Sequence, residues 1–193
     1  MLSGLIFPTS GDIEIENMDM KKDIFKIKEI LNVSPQETAI APNLTVKENL
    51  EFMAGVYQIS NKEKKIDELI KQFKLEEILN KRTKTLSGGW QRRLSIAISL
   101  INNPKILFLD EPTLGLDVIA RKELWKVINE LKGKITIILT THYMKEAESL
   151  SDRIGIMANG KLVDVGTSED LIKKTKTNNF EDAFVSIATG GEL

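Results

Sequence analysis

Two adjacent carboxylates follow an apolar segment near the middle of the chain. Ile106–Leu109 is typical of a buried strand, and Asp110 and Glu111 come directly after it. Parallel α/β sheets bind their ligands at the carboxyl ends of such strands. There, one carboxylate can hold Mg²⁺ through water, and the next can orient an attacking water. An ordinary acidic turn is the alternative that this segment alone leaves open.

Two glycines precede a predicted helix upstream of this strand. Ser87, Gly88 and Gly89 come before an apolar periodicity that continues to Asn102. Backbone N–H groups at a glycine-led helix start can approach an anion closely, and the helix dipole and a serine hydroxyl add to the attraction. A flexible turn capped by Ser87 is the simpler explanation when the motif is taken alone.

Two further polar residues follow predicted strands. Gln36 comes after the short apolar run Ile30–Val33, and its amide could bind a metal ion or a water. His142 follows the apolar strand Ile135–Leu139, where it could donate to a phosphate oxygen. A loop amide and a structural histidine are the simpler explanations for each residue by itself.

The elements around these residues indicate an α/β protein. Thr45 and Glu48 have the spacing of a capping box, which predicts the start of a helix. Asp117 can cap a later helix, and Asn159-Gly160 is a strong hairpin-turn signal. A helical block followed by strand–helix–strand units is typical of a nucleotide-binding core with a helical insertion.

Apolar spacing also predicts which residues face inward. The alternation of Asp12–Asn17 predicts a half-exposed strand, and Ile135–Leu139 predicts a parallel strand covered on both faces. The same spacing assigns Val56 and Ile119 to the inward faces of their helices. Ser168 is expected to cap a Lys-rich helix.

The order of these motifs closely resembles that of the ABC ATPase family. Gln36 resembles the Q-loop, Leu86–Gln91 the signature motif and Ile106–Glu111 the Walker B strand. Leu114–Asp117 is similar to the D-loop, and His142 is similar to the switch histidine. The resemblance runs from the first residue to nearly the end of the chain.

This resemblance implies a single, partial ABC ATPase domain over residues 1–193. Its expected class is α/β, with a P-loop NTPase-like parallel sheet core whose N-terminal strands are missing. An α-helical subdomain is expected at about residues 38–103, and a tail helix at about residues 179–188.

The resemblance also implies catalytic roles in the hydrolysis of ATP. Asp110 would hold Mg²⁺ with help from Gln36. Glu111 would polarise the water that attacks the γ-phosphate, and His142 would position that phosphate and the water. The reaction yields ADP and phosphate, and it is driven mainly by positioning and charge neutralisation.

Two protein partners follow from the same resemblance. Ser87, Gly88 and Gly89 would contact the nucleotide held by a second ATP-binding subunit, identical or different, and Asp117 would carry information across that dimer. A transmembrane permease subunit would be the other partner, with Gln36 sensing it. The expected location is cytoplasmic, peripheral on the inner face of the cell membrane.

Two local features favour an exporter. Trp90 replaces the usual glutamine of the signature motif, and Phe180–Phe184 resembles the tail helix of bacterial exporters of drugs, antibiotics and polysaccharides. A non-transport ABC ATPase that acts on DNA or ribosomes is an alternative, but the sequence has neither a coiled-coil insertion nor a tandem ATPase domain.

Composition narrows the possible chemistry. The 27 Lys and Arg residues nearly balance the 28 Asp and Glu residues, which argues against nucleic acid as a partner. The absence of Cys excludes disulfides and thiolate metal sites, and the single His argues against a histidine-based metal cluster. No apolar stretch approaches the ~20 residues that a membrane-spanning helix needs.

The phosphate-binding motif G-x-x-x-x-G-K-[ST] is absent from the sequence. Gly133-Lys134 and Gly160-Lys161 do not fit it, and Met1–Leu5 resembles the end of the helix that normally follows it. By the same resemblance, the central strand that precedes this motif would be missing too, so the strands Ile135–Leu139 and Arg153–Ala158 are expected to lack a ladder partner. A truncated remnant, or a half-site protein that supplies Ser87-Gly88-Gly89 to an intact partner, is a further alternative.

The 193-residue chain by itself is expected neither to bind ATP tightly nor to hydrolyse it, because the backbone nest and lysine that cradle the β- and γ-phosphates are missing from its sequence. Isothermal titration with ATP, with and without Mg²⁺, checks this. Stoichiometric, Mg²⁺-dependent binding would contradict the prediction.

Overall fold

The computed structural model describes residues 1–191, which divide into two compact units. The first unit is Met1–Thr140, and the second begins at Thr141. The elements of the first unit are β1 (Glu14–Ile15), β2 (Met18–Asp19), α1 (Ile24–Ile30), β3 (Leu31–Ser34), α2 (Val46–Val56), α3 (Lys62–Phe73), α4 (Gly88–Ser99), β4 (Ile106–Asp110), α5 (Val118–Leu131) and β5 (Thr136–Thr140). The elements of the second unit are α6 (Met144–Leu150), β6 (Ile154–Ala158), β7 (Lys161–Gly166), α7 (Ser168–Thr175) and α8 (Phe180–Ala188).

A three-stranded parallel sheet organises the first unit, with β4 between β3 and β5. The register pairs Ser34 with Leu109 and Asp110 with Thr140, so the three strands end together. Leu107 and Leu109 are buried on one face of β4, as expected for a central strand. The expected α/β class with a parallel sheet core is therefore confirmed.

Strand β5 is parallel but less covered than the sequence predicts. It lies at the edge of the three-stranded sheet. Ile137, Ile138 and Leu139 are only partly buried, and both terminal threonines are exposed. The expectation that Ile135–Leu139 is covered on both faces is wrong, because a mostly apolar segment does not reveal how much of each face is packed.

The N-terminal segment forms turns and a short hairpin. The expected strand Asp12–Asn17 is reduced to β1, which pairs antiparallel with β2. Glu16 and Asn17 have φ values of 52° and 59°, so the chain reverses inside the predicted strand. Met1–Leu5 forms a turn in which the Gly4 N–H donates to the Met1 carbonyl at 2.9 Å, and its resemblance to the end of a helix stays a prediction.

Helix α2 begins at a complete capping box. The Thr45 hydroxyl accepts from the Glu48 N–H, and the Glu48 carboxylate accepts from the Thr45 N–H at 2.7 Å. The inward stripe has a four-residue spacing through Val46, Leu50 and Ala54. Val56 falls outside this stripe and is 56% exposed, so its predicted inward position is wrong.

Helices α3, α4 and α5 contribute much of the core of the first unit. In α3 the buried residues are Ile66, Leu69, Ile70 and Phe73. Helix α4 is buried continuously from Arg92 to its end. The predicted inward position of Ile119 is wrong: it is 73% exposed, because it lies in the first turn of α5, before the buried stripe that starts at Leu124.

The second unit packs α8 and α7 with the β6–β7 hairpin. Asn159-Gly160 forms the hairpin turn with φ values of 50° and 73°, as predicted. The buried residues of its core are Ala147, Ile154, Ile156, Leu171 and Phe180. Ser168 is the first residue of α7 and not its cap. Thr167 caps the helix by accepting from the Asp170 N–H at 3.1 Å.

Thr45→Ala is expected to lower the free energy of unfolding by about 1 kcal/mol, because it removes the hydroxyl that accepts at the start of α2. Urea denaturation measures the change. Glu51→Gln is the control on the same helix: it removes only an exposed pair with Lys47 at 3.7 Å, and a change of a few tenths of a kcal/mol at most is expected. Equal losses in both variants would contradict the capping assignment.

Candidate functional site

Polar groups meet where the parallel strands of the first unit end. Asp110 is the last residue of β4, and one of its carboxylate oxygens accepts a hydrogen bond from the Thr140 hydroxyl at the end of β5. Gln36 is exposed in the loop that follows β3. The common register of the strands brings Gln36, Asp110 and Glu111 to one edge of the sheet.

Glu111 has a strained backbone. Its φ of 46° lies in the left-handed region, which costs a non-glycine residue about 1–2 kcal/mol. Its N–H donates to the Thr140 carbonyl at 3.1 Å, and its carbonyl accepts from Leu114 at 3.2 Å. Such strain is concentrated at functional sites, where the surrounding structure maintains it.

The donor set at this edge fits Mg²⁺. Asp110 offers an exposed carboxylate and Gln36 an amide oxygen, both hard oxygen ligands. Among residues 1–191 there is no cluster of three or more His, Asp or Glu side chains that could enclose a metal ion. Magnesium needs no such cluster, because one or two protein ligands suffice when phosphate oxygens and water complete its shell.

The glycine pair forms a second group, with the start of α5. A Cβ at Gly89 would lie 3.2 Å from the Cβ of Ala120, so glycine permits the close approach of α4 and α5. A Cβ at Gly88 would meet nothing within 4 Å. Ser87 occupies the cap position of α4, but its side chain makes no capping bond. The explanation that Ser87 serves only to cap α4 is therefore not supported, because its exposed hydroxyl makes no capping bond.

Asp117 has the local structure that the sequence predicts. Its carboxylate accepts from the N–H groups of Ile119 and Ala120, at 2.8 and 3.0 Å. The Ala120 N–H, then the Ile119 N–H, hold the pKa of Asp117 below its usual value, because they stabilise the charged form. The charge of Arg121 acts in the same direction.

A further tie links α4 to α5. Arg93 is buried and forms an ion pair with Glu123 of α5. Its guanidinium also lies over the Trp90 ring, 4.8 Å from the centroid. Trp90, which replaces the usual glutamine of the signature motif, therefore packs on the cation that joins the two helices.

His142 belongs to the second unit. It is exposed, and its ring centroid is 4.3 Å from that of Tyr143. The Tyr143 N–H donates to the Thr141 hydroxyl at 3.0 Å, which shapes the turn before α6. The structure thus brings the other predicted site residues into two groups of the first unit, and the position of His142 relative to them stays a prediction.

Sequence patterns did not identify two residues that lie at the site. Thr140 is the hydroxyl partner of Asp110, and its position at the end of an apolar strand was the available signal. Arg92 is a buried cation on α4 that contacts the loop carrying Gln36. An arginine within the buried stretch of an apolar helix was the signal for the second residue.

A recess of about 1130 Å³ lies at the opposite edge of the sheet, where β4 and β5 begin. None of the predicted site residues lines it. Its charged lining residues are Glu16, Lys65, Lys71, Lys105, Glu130 and Lys134. Four of these six residues are lysines and two are glutamates, on an open surface, and the acidic strand end is the better candidate for chemistry.

The fold and these two groups define the class of protein. A parallel sheet with an acidic pair after its central strand, together with a nearby glycine-led helix, is typical of α/β nucleotide-binding domains. Residues 1–114 match the family model described as ABC transporter. The chain therefore belongs to the ABC transporter family. Within residues 1–191, no helix combines the length and the apolar character needed to cross a bilayer.

Two curated relatives and two solved structures illustrate the similarity. The chain is 42% identical over 90% of its length to "Phospholipid-transporting ATPase ABCA3" of Homo sapiens, of which it covers 10%. It is 38% identical over 97% of its length to "Probable multidrug ABC transporter ATP-binding protein YbhF" of Escherichia coli (strain K12), of which it covers 34%. The chain thus spans only about a tenth to a third of these relatives.

The solved structures match over most of both chains. "Structure of ATP binding subunit of ABC transporter" has a TM-score of 0.83 at 27% identity, covering 96% of this chain and 80% of that one. The ADP- and Pi-bound dimer of the ATP-binding cassette MJ0796 has a TM-score of 0.75 at 27% identity, covering 86% of this chain and 76% of that one. The fold is that of an ABC ATP-binding subunit.

Asp117→Ala is expected to lower the melting temperature, and Asp117→Asn is the control that keeps an acceptor at the cap. Because the folded pKa of Asp117 is depressed, the stabilisation by its charge is complete above the unfolded value of about 3.9 and is lost as pH falls through the folded value. Melting curves between pH 7 and pH 3 check both effects. A stability difference between wild type and Asp117→Ala that does not shrink below about pH 4 would refute the assignment.

Proposed function

We propose that the protein is the ATP-binding and ATP-hydrolysing subunit of an ABC transporter, which couples hydrolysis to transport by a separate membrane subunit. One observation carries the proposal: Asp110 ends the central strand, and Glu111, directly after it, is held in a left-handed conformation. The match of the family model to residues 1–114 supports it.

The strand-end residues divide the work of phosphoryl transfer. Asp110, with Gln36, would hold Mg²⁺, which neutralises charge on the phosphates of ATP. Glu111 orients and polarises the water that attacks the γ-phosphate. The Thr140 hydroxyl donates to one oxygen of the Asp110 carboxylate and so fixes its orientation. The other carboxylate oxygen does not take part in this hydrogen bond. His142 is proposed to position the γ-phosphate and the water.

A second ATP-binding subunit would complete the site. Ser87, Gly88 and Gly89 would contact the nucleotide of that partner through the N-terminus of α4, where backbone N–H groups and the helix dipole attract anions. The open space around Gly88 and the exposed Ser87 support such an approach. Asp117, which begins the neighbouring helix, would carry information between the subunits. The solved MJ0796 cassette with the same fold is itself a dimer.

The wider assignment follows the expectations from the motifs. The proposed protein is one ABC ATPase domain with a helical subdomain at about residues 38–103 and a tail helix at about residues 179–188. It would act on the inner face of the cell membrane with a transmembrane permease. Export of a drug or polysaccharide in a bacterium is the proposed direction, supported by the relative named as a multidrug transporter in Escherichia coli.

A half-site protein is the second candidate function. The exposed Ser87 and the open space around Gly88 favour it, because they suit contact with a nucleotide held by another subunit. In that case Ser87–Gly89 would serve a partner's nucleotide, and Glu111 would not support turnover. The two functions differ in which substitution stops hydrolysis.

Glu111→Gln in the complex isolated with the protein is expected to lower ATP turnover by roughly 100-fold or more while leaving nucleotide binding intact, because the amide cannot polarise the water. Steady-state phosphate release and a fluorescent ATP analogue measure the two properties. Glu130→Gln, at the opposite edge of the sheet, is the matched control and should retain full turnover.

Ser87→Ala separates the two candidates in the same assay. Because Ser87 makes no capping bond, its loss should disturb folding little. Loss of turnover in both Glu111→Gln and Ser87→Ala supports the hydrolytic subunit. Loss in Ser87→Ala alone supports the half-site, and full turnover in both variants would refute the proposed site.

A further inference from the structure

Arg92 is a buried cation that the proposed reaction does not use. It lies on α4 one turn after the glycine pair, and it is only 5% exposed. Its guanidinium donates through Nη1 to the Pro35 carbonyl and through Nη2 to the Gln36 carbonyl. Arg92 therefore fixes two successive carbonyls of the loop that presents Gln36.

Burial of the Arg92 charge is costly for a contact that only joins a helix to a loop. Burial lowers the pKa of the Arg92 guanidinium, and the negative charge of Asp110 acts against that shift. Apolar packing could join a helix to a loop without the cost of desolvating a cation. A guanidinium differs in geometry, because its planar fork holds two acceptors in a fixed orientation.

Ser95 makes a different contact from the same face of α4. Its Oγ lies 3.2 Å from the Oγ of Ser34, the last residue of β3, and both side chains are buried. This bond joins α4 to the sheet before the loop begins. Of these two α4 residues, only Arg92 reaches the carbonyls of the Gln36 loop, so Ser95 is a matched control for it.

We propose that Arg92 is a positioning residue that transmits displacements of the segment Ser87–Gly89 to the backbone of Gln36. The inference rests on the proposed function, in which that segment meets nucleotide and Gln36 senses the membrane subunit. The path consists of one rigid helix turn, from Gly88 to Arg92, and one pair of hydrogen bonds. Arg92 binds only the main chain of Gln36, so the exposed side-chain amide of Gln36 stays available for other contacts.

The glycine pair provides a controlled displacement of the helix start. Gly89→Ala would place a methyl group 3.2 Å from the Ala120 Cβ, so α4 and α5 must separate slightly. Gly88→Ala adds the same methyl group where nothing lies within 4 Å. The first variant should displace the start of α4, and the second should not.

NMR of the full chain tests the transmission. The amide ¹⁵N resonances of Gln36 and Glu37 report on the two carbonyls that accept from Arg92, because each amide shares a peptide group with one of them. Gly89→Ala is expected to shift both resonances, whereas Gly88→Ala and Ser95→Ala leave them within the line width. In an Arg92→Lys background, Gly89→Ala should still shift resonances of α4 but lose its effect on Gln36 and Glu37.

The opposite result would overturn the proposal. If Gly89→Ala shifts Gln36 and Glu37 equally in the wild-type and Arg92→Lys backgrounds, Arg92 does not transmit the displacement. If Arg92→Lys gives no dispersed spectrum, Arg92→Gln takes its place in the same cycle. Lysine keeps the charge but not the fork, so loss of transmission in that variant identifies geometry and not charge.

Turnover of the isolated complex separates this inference from the proposed function. Arg92→Lys is expected to reduce the stimulation of ATP turnover by the membrane subunit about tenfold, at an unchanged KM, with Ser95→Ala as wild type. An inactive wild-type complex would contradict the proposed function and leave the NMR result standing. Full stimulation of Arg92→Lys in an active complex would overturn the role of Arg92.

Discussion

The two-sided backbone ladder of β4 is the constraint on which the site depends. Because β4 pairs in parallel with both β3 and β5, its position is fixed along the strand direction from both edges. The register then places Asp110 opposite Thr140 of β5. It also places Gln36 just after the end of β3, the strand on the other side of β4. A shift of one residue would turn Leu107 and Leu109 from the buried face to the other face, so core burial and site geometry specify the same alignment.

The helices complete the site through polar ties at their first turns. Helix α5 starts where Asp117 accepts two N–H groups, and the absence of a Cβ at Gly89 lets α4 approach it. Arg93 joins the same two helices through Glu123, while Arg92 joins α4 to the loop after β3. The N-terminus of α4 is thereby connected to both α5 and the Gln36 loop, although Gly88 remains exposed.

Sequence patterns predicted the elements whose signals are local. The capping box of Thr45, the cap at Asp117 and the Asn159-Gly160 turn each depend on a few neighbouring residues, and all formed as expected. Apolar patterns failed where burial depends on distant packing, as at Ile119 and β5. The two hydrogen bonds of the Arg92 guanidinium could not be predicted. Their acceptors lie 57 and 56 positions before Arg92 in the sequence, and only the folded chain brings them together.

Unfavourable local energies occur at the carboxyl edge of the sheet. Glu111 adopts a left-handed backbone, and Arg92 is a buried cation whose partners are carbonyls, close enough to Asp110 for its charge to matter. Each feature costs free energy that an apolar loop would avoid. The recess at the opposite edge also contains two left-handed residues, Glu16 and Asn103, and a lysine, Lys65, whose pKa is lowered by burial. The carboxyl edge differs from this recess because its left-handed residue and its buried cation adjoin the acidic pair after β4, and this combination supports the proposal that the carboxyl ends of the strands are the working end of the domain.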